Sequence, residues 1–237
     1  MPNGLAQRMA ALDWTSLQHT LHEQGYALIP TLLDADQCSE IIQTYEEESL
    51  FRNTVDMARY RFGIGEYKYY QAPLPDLLQQ LREGFYPELA ETANHWLEQL
   101  GRDAVYPASL SQFLDQCHQQ GQLRSTPLIL KYETGGYNCL HQDLYGEVFF
   151  PFQVVFVLNQ KDRDYTGGEF LLMEQRPRAQ SRGHVVTIDQ GAGLIFPTNY
   201  RPVPGARGYY KTMLRHGVST ITSGRRYSLG IIFHDAQ

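Results

Sequence analysis

His141-Gln142-Asp143 sets an imidazole and a carboxylate two positions apart, and His216 follows 73 residues after the carboxylate. In an extended strand, side chains two apart share a face, so both donors point to one side. A second imidazole from a distant strand would complete a two-histidine, one-carboxylate triad. Such a donor set leaves positions open on a non-haem Fe(II), as oxygen chemistry requires. The same donors also bind zinc, and a strand histidine taken alone is commonly just packed and hydrogen-bonded. Arg226 lies ten residues beyond His216, with Ser228 two further on. A guanidinium fork and a hydroxyl on one strand face suit a carboxylate held at two points. A zinc hydrolase leaves that second pair unexplained. Arg225 would point the opposite way, toward solvent or a substrate.

With these residues in this order, the chain resembles the Fe(II)/2-oxoglutarate-dependent dioxygenases. His141-x-Asp143, His216 and Arg226-x-Ser228 match that superfamily's iron and co-substrate motifs. Lys131-Tyr132-Glu133 and Gly135-Gly136-Tyr137 are similar to the lead-in strand and turn of its prolyl-hydroxylase-type members. Gly167-Gly168-Glu169-Phe170 and Gly193-Leu194-Ile195-Phe196-Pro197 resemble two further strands of the core. The likeness covers roughly residues 125–235, and Gly25 to Pro30 resembles a leading segment of the same enzymes. It implies His141, Asp143 and His216 as iron ligands and catalytic centre. It implies Arg226, Ser228 and Tyr132 as the co-substrate contacts. Where some relatives carry a tyrosine before Leu158-Asn159, this chain has Val157, which puts more weight on Ser228 and Tyr132. The implied cofactors are Fe(II), 2-oxoglutarate and O2, with ascorbate a candidate stimulant. The implied reaction couples decarboxylation of 2-oxoglutarate to succinate with hydroxylation of a substrate C–H bond. A non-enzymatic sensor of 2-oxoglutarate or oxygen is disfavoured, because every catalytic donor is present.

The elements that must hold these residues are legible in part. Asp34-Ala35-Asp36-Gln37 has the form of a capping box ahead of Ile41 and Ile42. Leucines and Trp96 recur at helical spacing over residues 75–100, with Pro87 expected to interrupt the helix, and 109–119 suits one more helix. Met57 to Gln71 alternates cations with aromatics and predicts strands or a hairpin around Gly63 and Gly65. From residue 127 the period becomes that of strands: 127–133, 150–158, 168–173, 184–189, 193–197, 211–218 and 226–234. Phe152 to Leu158 is nearly all apolar, the pattern of a strand buried on both faces. Short strands at near-regular spacing predict a barrel or jelly-roll. The fold class expected is mainly β with flanking helices, α+β, around a double-stranded β-helix. Residues 1–121 would be a helical extension packing on an oxygenase core of 122–237, the two forming one compact unit. Residues 198–210 read as a long Pro/Gly-containing connection bordering the substrate opening.

Sixteen tyrosines and ordinary charge content fit a globular protein of 237 residues, and no apolar run is long enough to span a membrane. Met1 to Asp13 lacks the apolar stretch of a signal peptide. Cys38, Cys117 and Cys139 lack metal-ligand spacing and read as reduced thiols in a cytoplasmic protein. Cys139, two before His141, would be a buried small hydrophobe or a neighbour of the metal. His184 and His234 read as structural or exposed. The net charge of −6 is uneven: residues 1–121 carry seven cations and seventeen acids, residues 122–237 thirteen and nine. A basic carboxy-terminal half favours an anionic co-substrate, or is simply a solvated face balanced by the acidic helices.

The substrate is less constrained. The His216–Arg226 spacing resembles prolyl hydroxylases, which favours hydroxylation of a protein side chain or a small metabolite. The alternative is oxidative demethylation of alkylated nucleic acid, proposed for a bacterial branch of the superfamily that the chain resembles. Arg59, Arg61, Tyr67, Tyr69 and Arg225 are the candidate substrate contacts, since aromatics stack bases while arginines meet phosphates. A pI near 5.7 argues against strong non-specific binding to DNA.

Overall fold

The computed structural model describes residues 4–144 and 146–237. Met1 to Asn3, part of the stretch read above for a signal segment, lie outside the described residues. In chain order the elements are α1 (Leu5–Ala10), α2 (Trp14–Gln24), β1 (Ala27–Ile29), α3 (Ala35–Thr44), β2 (Phe51–Asp56), β3 (Gly63–Ile64) and β4 (Glu66–Tyr70). Then come α4 (Asp76–Gln99), α5 (Leu110–Gln119), β5 (Leu128–Glu133), β6 (Tyr137–His141), β7 (Phe152–Val157), β8 (Tyr165–Gly167) and β9 (Phe170–Gln175). The chain closes with β10 (Arg182–Val186), β11 (Gly193–Pro197), β12 (Tyr200–Gly205), β13 (Gly208–Val218) and β14 (Ile221–Ile232).

Two antiparallel sheets make a jelly-roll sandwich. The larger runs β1-β11-β7-β14-β5-β4-β2, with β8 attached to β14; the smaller runs β10-β9-β13-β6-β3, with β12 attached to β13. Period-two alternation in the larger sheet decides what each face does. On β7, Phe152, Val154 and Phe156 join Tyr227, Leu229 and Ile231 of β14 in a core shared with the helices. The intervening residues Gln153 and Val155, with Arg226, Ser228, Gly230 and Ile232, line the cavity between the sheets. That arrangement is why β7 reads as apolar throughout: helices cover one face and the second sheet the other. The helices of the first half pack on this sheet, and β1 to β4 from the same half join the two sheets.

Three elements differ from the sequence reading. α4 runs unbroken through Pro87. Pro87 is exposed, while Phe85, Tyr86 and Leu89 beside it are fully buried, so packing of that stripe offsets the roughly 3 kcal/mol an interior proline costs. Residues 198–210 are not an irregular connection: β12 and β13 pair as a hairpin closed at Gly205 and Gly208. Pro202 and Pro204 are tolerated because β12 bonds only to β13, so its other edge requires no donors. β2 was not anticipated and pairs with β4; around Gly63 and Gly65 the strands expected are present as β3 and β4, but they do not form a hairpin, β3 bonding to β6 in the other sheet. The capping box at Asp34 and Gln37 is present in both directions.

Candidate active site

His141 is the last residue of β6, and His216 stands directly opposite it on β13. Asp143 follows just after the strand ends. The three offer ligand atoms that all lie within 4.8 Å of one another. His141 Nε2 is 3.5 Å from Asp143 Oδ1, and His216 Nε2 is 3.3 Å from Asp143 Oδ2. The Nδ1 of His141 lies 2.7 Å from the carbonyl oxygen of Cys139. A carbonyl only accepts, so Nδ1 carries the proton and the Nε2 lone pair faces the cluster. The His216 ring is fixed by Phe170, stacked at 5.8 Å, and by Phe196 at 4.7 Å. Burial, reinforced by His141, holds the His216 pKa below its ordinary value against the pull of Asp143. Burial opposes ionisation of Asp143, but His216, His141 and the Gln153 amide outweigh it and hold the carboxyl well below the usual range. A neutral imidazole at His216 and an ionised carboxylate at Asp143 are protonation states that suit a metal ion.

The cluster opens into a cavity of about 380 Å³ between the sheets. Arg226 lines it, 1% exposed, with one hydrogen bond from Nη1 to Ser228 Oγ at 3.2 Å. Its Nε has no partner, and no acid pairs with it among the described residues. Its guanidinium carbon stands 5.9 Å from the Tyr132 ring and 5.9 Å from the Tyr165 ring. Tyr132 is fully buried, pairs across to Arg226, and accepts a hydrogen bond from Asn138 at 3.3 Å. Burial pushes its pKa up to about 12, so it stays a neutral phenol. Two glycines make the room. A Cβ at Gly168, where φ is +67, would fall 3.0 Å from Arg226 Cδ and 2.3 Å from Ile221. One at Gly65, where φ is +152, would fall 2.7 Å from Tyr132. Along β14, Arg226 is four residues from Gly230, about 13 Å of extended chain. Arg226 therefore sits at one end of the cavity, while Gln153, opposite Ile232 on β14, sits at the end that holds the triad.

The residues singled out from the sequence are dispersed as follows. His141, Asp143, His216, Tyr132, Arg226 and Ser228 all line the one cavity, together with Tyr67, Tyr69 and Arg61. Arg59 does not line it but leans on the Tyr60 ring at 5.9 Å. Arg225 faces outward as expected and meets Glu133 at 2.9 Å. Cys139 is not the buried small hydrophobe but the triad's neighbour: it is exposed and lines the same cavity, because β6 is a partly solvated strand. Residues 198–210 contribute nothing to the cavity wall among the described residues, being taken up by the β12–β13 hairpin. Val157 packs in the core beyond the cavity. His184 packs edge-on against Tyr26, 5.4 Å away, and His234 is fully buried behind the sheet.

Gln153 escaped the sequence reading. Its Nε2 donates to Asp143 Oδ2 at 2.6 Å and turns that carboxylate toward the histidines. Its signal was available: one amide in an otherwise apolar strand, buried on both sides, must have a partner. Gln142 holds the site from outside, donating to the Asn199 carbonyl at 3.0 Å and the Leu214 carbonyl at 2.8 Å.

Solved structures share this architecture. A prolyl-4-hydroxylase from Pseudomonas putida superposes with a TM-score of 0.55 at 14% identity, covering 94% of this chain and 100% of that one. The prolyl hydroxylase of Trichoplax adhaerens, in complex with a hypoxia inducible factor peptide, gives 0.53 at 16% identity over 98% and 92% of the two chains. The non-haem α-ketoglutarate-dependent epimerase SnoN of nogalamycin biosynthesis gives 0.55 at 14% identity over 94% and 82%. At such identities the likeness establishes the jelly-roll fold. In sequence, the uncharacterized protein Rv2227 of Mycobacterium tuberculosis strain H37Rv is 53% identical over 167 residues, 70% of this chain and 72% of that protein. Residues 65–236 match the family Oxygenase-NA, described as an oxygenase catalysing oxidative methylation of damaged DNA. With most of both sheets, the triad and Arg226 inside that span, the chain belongs to the Oxygenase-NA family of oxygenases.

Proposed function

We propose that this oxygenase binds Fe(II) through His141, Asp143 and His216 and takes 2-oxoglutarate as co-substrate, its distal carboxylate held by Arg226 and Ser228. The observation that carries this reading is Arg226 itself, a buried guanidinium aimed into a cavity with no acid to neutralise it among the described residues. An unpaired buried charge costs several kcal/mol, so its environment is one built to be completed by an anion. Iron, 2-oxoglutarate and O2 together supply the oxidant, yielding succinate and CO2 and inserting one oxygen atom into a substrate C–H bond. The protein's own residues orient and exclude. The Gln153 amide sets the Asp143 carboxylate, Phe170 and Phe196 fix the His216 ring, and Tyr132 walls the Arg226 end as a neutral donor. Tyr67, Tyr69, Leu128 and Leu130 keep the remaining wall largely dry.

For the substrate, the family description favours an alkylated base in nucleic acid. Oxygenation of an N-methyl group gives an N-hydroxymethyl group. That collapses to formaldehyde and the free N–H, so the net change is demethylation. A second reading, hydroxylation of a protein side chain or small metabolite, is supported by the ten-residue His216–Arg226 spacing. The test is to incubate the Fe(II)-loaded protein with 2-oxoglutarate, O2 and a single-stranded oligonucleotide carrying one N-methylated base. Formaldehyde released in step with succinate is expected. Succinate without formaldehyde would move the assignment to the second reading. No succinate under any condition would overturn the 2-oxoglutarate reading.

A further inference from the structure

Beside the cavity, residues 57–64 form a short, well-tied turn. The buried Met57 plugs its base, its carbonyl accepting from the amides of Tyr60 and Phe62, and the Phe62 carbonyl accepts from Cys139 at 2.8 Å. The turn is therefore anchored to β6 two residues before His141. It displays two aromatic rings that the fold leaves partly exposed. Tyr60 and Phe62 are 53% and 47% exposed, and their rings lie stacked, 5.6 Å apart and 20° from parallel. Arg59 leans over Tyr60, and Arg61, held at φ +60, lines the cavity together with Phe62. Neither arginine has a salt-bridge partner among the described residues.

We propose that Tyr60 and Phe62 form a stacking platform for an unpaired base of a single-stranded nucleic acid, with Arg59 and Arg61 placed for its phosphates. This rests on the reading of alkylated nucleic acid as substrate and supplies the recognition surface that reading lacks. Exposed flat rings offer a base its π-face whatever its sequence, and interleaved guanidinium groups follow the backbone. The cations are local, in a protein whose net charge is −6, so attraction for a polyanion must come from placement rather than overall field. β3, at the margin of its sheet beside the platform, is only two residues long, too short to seat a peptide by strand addition. The platform stands at the cavity mouth through Arg61 and Phe62. A strand stacked there would present its neighbouring nucleotide to the triad.

The probe is a fluorescein-labelled single-stranded DNA with one N-methylated base, titrated with the full chain at low salt and followed by anisotropy. Tyr60→Leu/Phe62→Leu keeps apolar bulk and removes the planar faces. Its affinity is expected to fall at least about fivefold, the low end for losing a stacked base, while Tyr60→Phe stays near wild type. Arg59→Gln/Arg61→Gln is expected to flatten the salt dependence by about 0.7 for each phosphate no longer neutralised. Should the double leucine variant lose its cooperative melt, Tyr60→Leu alone carries the comparison, since that ring is the more exposed. Equal affinity of the leucine variant and wild type would overturn the proposal. So would absence of wild-type binding, or binding of a peptide in place of the oligonucleotide. Succinate production by the wild type would then still leave the oxygenase reading standing.

Discussion

Three arginines are buried among the described residues, and the fold treats two of them alike and the third differently. Arg82 of α4 donates to the carbonyls of Ile232 and Phe233 and meets Asp235 at 2.8 Å. Arg201 of β12 meets Glu174 at 2.9 Å and donates to the His22 and Glu23 carbonyls at the end of α2. Each is neutralised by an acid and also donates to backbone carbonyl oxygens. Arg226, more buried than either, has one neutral hydroxyl and two tyrosine rings. The same chain that completes its structural cations leaves this one incomplete inside a cavity, which supports the proposal that it is a binding group rather than a strut.

The largest effect is expected at the completed pairs. Asp235→Ala leaves Arg82 charged and buried, and should lower unfolding stability by about 3–5 kcal/mol. Because that bond joins α4 to the carboxy terminus, we propose that residues 1–121 and 122–237 unfold in a single transition; two separated transitions in a chemical melt would divide them. Arg226→Met should do the opposite to stability, leaving it unchanged or raised. It should also weaken 2-oxoglutarate binding by about 2–5 kcal/mol, measured calorimetrically. A variant as unstable as Asp235→Ala would make Arg226 a third strut and end the contrast.

Acid should distinguish the regions further. Burial, with help from Arg82 and against Asp143 and Asp235, lowers the pKa of His234 to about 4. The folded value lies below the unfolded one, so the stability tied to the neutral ring is complete above pH ~6.5. It falls away as the pH drops through the folded value, by roughly 3 kcal/mol in all. His234→Gln should flatten that part of the pH–stability profile; an unchanged slope would remove His234 from the account. Next in size, Gln153→Leu should loosen Fe(II) about tenfold to a hundredfold by releasing Asp143, with the melt little altered. Equal metal affinity would make the amide incidental. Smallest, Ser228→Ala should cost about 1 kcal/mol of 2-oxoglutarate affinity.

How much of this was readable depended on the range of the interaction. Arg226 and Ser228 stand out because two polar residues share one strand face at period two just before the apolar run from Leu229 to Ile232. His141 and Asp143 are two residues apart, so their proximity needs no knowledge of topology. Gln153 was readable by the same logic, a lone amide between phenylalanine and valine, but its partner lies ten residues away on another segment. Other features have no local signature. Pro87 and the prolines of β12 break local rules because burial of one helix stripe, and an edge position, outweigh propensity. That Cys139 and Phe62 border the cavity follows only from the pairing of β3 with β6, which bridges some 70 residues of chain.

The most direct test of the central contrast is calorimetric titration of 2-oxoglutarate into anaerobic Fe(II)-loaded protein, wild type beside Arg226→Met. Saturable binding by the wild type, with at least about thirtyfold loss in a variant that melts no lower, is the expected result. Equal affinity in both, or no binding to the wild type, would contradict the claim that Arg226 is left unpaired in order to hold the co-substrate.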